Sequence, residues 1–185
     1  FWLEGSLAAD TGTVDATRFW GRRATVSLMG EFGEVRLGRA KTMTRLVIDD
    51  FDVYSTTGLG DVTKIYSTLG ASDTYNRADN QVAYFTPGNL GGFYGGVDVG
   101  AGEGTVGKKY IGGRAGYKVG ALHIGGGYQS TTGTGNDKVK LGSIGASYDF
   151  SMVRVSGLVS SNKFGAIKQT ISTVGAVVPV GASGS

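Results

Sequence analysis

Across 185 residues this sequence contains no cysteine, a single histidine and only two prolines, and it has no long run of apolar residues. The absence of cysteine rules out disulfides and thiolate metal sites, and it fits passage through an oxidising compartment. His123 stands mid-segment with no cysteine and no second histidine nearby, so metal centres and catalytic triads have little support. Without about 18 consecutive apolar residues there is no transmembrane helix. The balance of 18 basic against 15 acidic residues is too even and too dispersed for nucleic-acid binding. Gly58-Leu-Gly60 lacks both the strand–turn–helix setting and the lysine of a phosphate loop. These absences point away from an enzyme, and no cofactor or metal is expected. The chain opens without a methionine or a secretory signal, and it reads as an internal piece of a longer protein.

What is present is glycine, 34 residues of it, set inside segments that alternate apolar with small or polar positions. Leu122, Ile124, Gly126 and Tyr128 share one face of an extended segment; His123, Gly125, Gly127 and Gln129 share the other. Val153, Val155, Gly157 and Val159 oppose Arg154, Ser156 and Ser160 in the same way. About ten such segments follow one another. Tight connections at 30–34, 87–92, 118–120, 149–151 and 179–182 alternate with longer ones at 10–18, 42–79, 100–109, 131–137 and 160–165. In an up-and-down meander successive turns fall on opposite edges, so this alternation gives a sheet with two unlike rims, as in an outer-membrane β-barrel. Aromatic residues near segment ends, among them Phe19, Trp20, Phe93, Tyr117, Tyr148 and Phe150, suit interfacial girdles. Periodicity alone leaves a soluble sandwich open, because that fold alternates with the faces reversed.

Residues 42–79 break the rhythm. Connections longer than about 15 residues are uncommon and usually functional. Asp61 as N-cap, followed by Val62, Ile65, Tyr66 and Leu69, predicts a short helix, and Asp49, Asp50 and Asp52 form an acidic cluster beside Leu46-Val-Ile48. A lobe with this many apolar residues is expected to pack on the inside wall of its own barrel.

Several motifs resemble Gram-negative trimeric porins of the neisserial and burkholderial type. They are Phe19-Trp-Gly-Arg-Arg-Ala-Thr-Val-Ser-Leu28, Gly33-Glu-Val-Arg-Leu-Gly-Arg39, Arg77-Ala-Asp-Asn-Gln-Val-Ala-Tyr-Phe-Thr-Pro87, Gly145-Ala-Ser-Tyr-Asp-Phe150 and Val174-Gly-Ala-Val-Val-Pro-Val-Gly-Ala182. The resemblance implies an all-β, antiparallel up-and-down transmembrane barrel of about sixteen strands, of which residues 1–185 supply about ten in a single domain, with N- and C-terminal strands missing. It further implies a homotrimer in the outer membrane, in contact with its lipid, and identifies 42–79 as a constriction loop folded inward. The expected function is general diffusion of small hydrophilic solutes and ions with mild anion preference. By the same resemblance Arg39 and Arg77 line the pore, with Arg23 and Arg36 as further basic candidates, facing Asp49, Asp50 and Asp52 from the loop. Simple alternation places Arg39 in phase with Val35 and Leu37, on the lipid side, so its lumenal position requires a break at Gly38. A rival reading is a glycine-rich β-domain for adhesion or display, or an autotransporter-type translocator barrel, with no inward loop. A third, a membrane-embedded hydrolase, requires a serine beside His123.

Overall fold

The computed structural model describes residues 1–15, 17–57, 60–66, 73–102, 109–132 and 138–179. Ten strands form one antiparallel sheet in strict sequence order. They are β1 (Trp2–Glu4), β2 (Arg23–Gly30), β3 (Gly33–Lys41), β4 (Arg77–Phe85), β5 (Phe93–Gly100), β6 (Lys109–Val119), β7 (Leu122–Thr132), β8 (Lys138–Asp149), β9 (Arg154–Phe164) and β10 (Ile167–Val177). Among the described residues between β3 and β4 lie the helices α1 (Met43–Phe51) and α2 (Thr63–Tyr66) and a 3₁₀ turn at Asp73–Tyr75.

The alternation of the sequence is realised with its faces inverted relative to a soluble sandwich. Outward positions are apolar and open, with Ile144 64% and Val174 85% exposed. Inward positions carry Gln81, Asp98, Gln129, Ser143, Ser156 and Ser160, all buried. An apolar exterior around a polar interior is the arrangement lipid requires, because ladder hydrogen bonds satisfy the backbone and hydrocarbon meets hydrocarbon. Phe93 stacks on Tyr117 and Tyr148 on Phe150, each with ring centroids 4.6 Å apart, at the edge where β4–β5, β6–β7 and β8–β9 turn. Gly120 (φ +52) allows the two-residue turn between β6 and β7, a backbone region that L-residues avoid.

One connection departs from the expected alternation. Residues 160–165 read as a long loop, yet β9 runs to Phe164 and β10 starts at Ile167, paired through every residue from Ile167↔Phe164 to Val177↔Arg154. Helix formation between β3 and β4 also differs from expectation. The longer helix is α1, beginning at an N-cap on Thr42, whose Oγ1 accepts from the Arg45 backbone N–H at 3.4 Å. The helix expected after Asp61 is the four-residue α2: Val62 and Tyr66 are buried, Ile65 is 46% exposed, and Leu69 lies outside the described residues. Gly58, Leu59, residues 103–108 and 133–137, and the tail from 180 onward also lie outside them.

Candidate functional site

The inner surface is organised around α1. Met43, Val47, Ile48 and Phe51 occupy one side of the helix and are buried against β5–β9. The wall admits them because it lacks side chains where they press. A Cβ at Gly96 would collide with Met43, one at Gly127 would crowd Val47, and one at Gly145 would strike the Phe51 ring. Burying each such side chain stabilises by about 1.5–3 kcal/mol. The apolar cluster continues through Val62, Tyr66, Leu141, Leu158 and Ile171.

Polar anchors surround this contact. Asp98, buried on β5, accepts from the Met43 backbone N–H at 3.0 Å, from Gln81 Nε2 at 2.7 Å and from the Tyr110 hydroxyl at 2.6 Å. Gln129 accepts from the Thr44 hydroxyl and donates to the Thr74 carbonyl at 3.1 Å. Ser156 donates to the Phe51 carbonyl at 2.5 Å, satisfying an acceptor at the helix C-terminus. Tyr66 donates to Ser160 Oγ at 2.5 Å, and burial pushes its hydroxyl pKa up.

The remaining side of α1 is charged. Asp49 accepts from Lys41 Nζ at 2.7 Å and from Arg45 Nε at 2.8 Å. Asp50 accepts from Arg114 on β6 at 3.1 Å; burial raises its carboxyl above the ordinary value, with Arg114 opposing the shift. Asp52 caps the helix, accepting from the backbone N–H groups of Tyr54 and Thr56 at 3.2 and 2.9 Å. The acidic cluster is therefore divided: Asp49 and Asp50 meet cations, whereas Asp52 holds a turn.

Opposite lies a basic group from β2–β4. Arg22, Arg23, Arg36, Lys41 and Arg77 line a cavity of about 190 Å³, with Leu46 of α1 and one carboxylate, Glu4, on its border. Glu4 is ion-paired to Arg22. Arg36 is held by Glu34 through two contacts of 2.8 and 3.0 Å and lies over the Phe85 ring. Arg23 donates to Thr25 at 3.0 Å and stacks over Trp2. Arg77 donates to the Arg22 carbonyl at 2.8 Å, and among the described residues neither Arg23 nor Arg77 has an ion pair.

Arg39 stands apart from this group. The β3–β4 register shifts between Gly38 and Ala40, at the expected break. On the β2 side the pairing runs on without a break, with Arg39 opposite Ala24 as Leu37 is opposite Val26, so the shift is confined to the β4 side. Its guanidinium binds Asp79 at 2.7 Å and the Gly21 carbonyl at 2.7 Å. Sequence reasoning missed Lys41, Arg45 and Arg114 as partners of the acidic cluster; Arg114 was legible only as an inward-phase charge on β6. Among the described residues His123 meets the Tyr94 hydroxyl at 2.8 Å and the Phe51 ring, and makes no hydrogen bond to a serine.

Comparison with known proteins agrees with this architecture. A Gram-negative porin family matches residues 1–184. The chain is 38% identical to outer membrane porin protein 32 of Delftia acidovorans, aligning over all of this chain and 57% of that protein. The structure matches an anion-selective porin from Comamonas acidovorans with a TM-score of 0.86 and 38% identity, covering 98% of this chain and 59% of that one. The chain thus spans somewhat over half the length of these relatives. An ordered meander with an apolar exterior, a polar interior and this family match together make the chain a member of the Gram-negative porin family.

Proposed function

We propose that this chain forms the selective wall of a passive outer-membrane pore, through which small hydrophilic solutes and ions diffuse with mild preference for anions. Residues 42–79 act as the constriction loop, and the working assembly is a homotrimer. The observation that carries this reading is the cation-lined cavity between α1 and β2–β4, where Arg22, Arg23, Arg36, Lys41 and Arg77 outnumber the carboxylates of Glu4, Glu34 and Asp49 that pair with three of them. In a narrow water column flanked by low-dielectric walls, such an excess concentrates anions and lowers their barrier to entry. The similarity to a porin titled anion-selective supports the same sign. Packing of α1 on the inner wall favours a pore over a display or translocator domain, which needs no inward loop.

The test is reversal potential in planar bilayers with the full-length protein. Arg23→Gln, Arg36→Gln and Arg77→Gln together shift it towards cations. The shift shrinks between about 0.01 M and 1 M salt, as the Debye length falls from about 30 Å to about 3 Å. Unchanged low-salt selectivity in this variant removes these residues from the conduction path.

A further inference from the structure

On the outer face of β8–β10, three lysines stand in one row across the strands. Lys140 is opposite Lys163, and Lys163 is opposite Lys168. Cross-strand partners share a face, and neighbouring strands are about 4.8 Å apart. All three lysines are exposed, and Lys138 lies one row further out on the same face. Among the described residues none of the four makes an ion pair. Like charges directly opposite one another destabilise a sheet, so a row of three with no carboxylate paired to it among the described residues favours an anionic partner.

The position of the row identifies the anion. The next row inward is Gly142, Ser161 and Thr170, and the apolar surface begins with Ile144 and Val159 below it. Tyr128, more than half exposed, stands opposite Gly142 on the neighbouring strand, so the lysines lie two residues, about 7 Å, beyond an interfacial aromatic. This is the edge from which the 42–79 segment leaves the sheet, the external edge in a barrel of this kind. Charges at that height on the lipid side meet headgroups, not solvent alone.

We propose that Lys140, Lys163 and Lys168, supplemented by Lys138, form a binding site for the phosphorylated glycolipid of the outer leaflet, with ammonium groups bridging its headgroup phosphates. This goes beyond the pore reading and rests only on the orientation of the barrel. Full-length protein in detergent is titrated with bisphosphorylated lipid A and with the same lipid after removal of its phosphates. Bound lipid is followed by native mass spectrometry and unfolding by thermal scan. The phosphorylated lipid is expected to stay bound and raise the unfolding midpoint, and the dephosphorylated lipid to do neither. Combined Lys140→Gln, Lys163→Gln and Lys168→Gln weakens binding on the order of 100-fold, and conductance and selectivity stay native. Should the triple variant fold poorly, Lys163→Gln alone weakens binding roughly fivefold, and Lys163→Arg restores it. Equal binding of the two lipids, or native affinity in the variants, overturns the proposal. So does a change in subunit stoichiometry without lipid discrimination, which makes the row a contact between subunits.

Discussion

Along β5–β9 the inner face presents glycine, serine and glutamine to a helix that fills it; along β2–β4 it presents arginine and lysine to an open cavity. Both walls belong to one sheet with the same pleat and the same apolar exterior. They differ in what the inward position is required to do. Where a loop must be gripped, side chains are deleted so that Met43, Val47 and Phe51 can enter, and short hydroxyls and amides tie down the backbone. On the other wall, where the proposed function puts the solute path, long cations are retained and held by neighbouring groups, as Glu34 holds Arg36. On that reading grip and selectivity sit on two walls, and each is open to disruption without the other.

The largest effect is expected from filling the gripping wall. Gly145→Val drives a side chain into the Phe51 ring, an overpacking cost of about 1–3 kcal/mol that displacement of α1 relieves. Single-channel conductance rises, and α1 amides lose hydrogen-exchange protection while those of β7–β9 keep theirs. Next comes Asp98→Ala, which leaves the Met43 N–H, Gln81 and Tyr110 without their acceptor, at about 1–3 kcal/mol for each group that water does not reach. Its signature is protease cleavage near residues 43–51 ahead of global unfolding. Charge edits on the other wall come third. Arg77→Gln alone moves reversal potential towards cations at low salt without altering the unfolding midpoint by more than a few tenths of a kcal/mol equivalent, since partly solvated charges contribute little to stability.

The smallest effect is a pH step. Because burial holds the Asp50 carboxyl above its ordinary value, its charged form carries a penalty that is absent below the ordinary value and complete above the raised one. Its contribution to stability therefore falls as pH rises through that window. On acidification Asp50 neutralises ahead of an ordinary carboxylate and leaves Arg114 uncompensated, so anion preference increases. Reversal potential measured against pH shows this step in the native protein and not in Asp50→Asn.

Strands were legible wherever one phase faced lipid, because hydrocarbon enforces alternation on its own side of the sheet. The signal fades towards the rim. In the outer part of β9, Ser161 and Lys163 point outward above the apolar surface while Ser160 and Asn162 point inward, so both phases are polar and a strand reads as a loop. The helix α1 escaped for a related reason. Its apolar stripe at Met43, Val47, Ile48 and Phe51 was present, but Thr44, Arg45 and Asp49 interrupt it: Thr44 has its partner on β7, while Arg45 and Asp49 pair with each other one turn apart. Family resemblance carried the arginines without their partners, and Arg39 shows the limit: its bonds to Asp79 and to the Gly21 carbonyl follow from no motif.

The cradle for α1 also constrains the order of assembly. Gly96, Gly127 and Gly145 come from three strands, and the bond from Ser156 to the Phe51 carbonyl joins groups 105 residues apart. No local hairpin offers α1 a place to dock, and closing so long a loop before the strands are paired returns nothing against its entropy. The docking of α1 is therefore expected after β5–β9 have paired, as a late and separate kinetic phase. On the proposed reading of 42–79 as the constriction loop, newly assembled protein is expected to conduct more freely than mature protein until that loop docks.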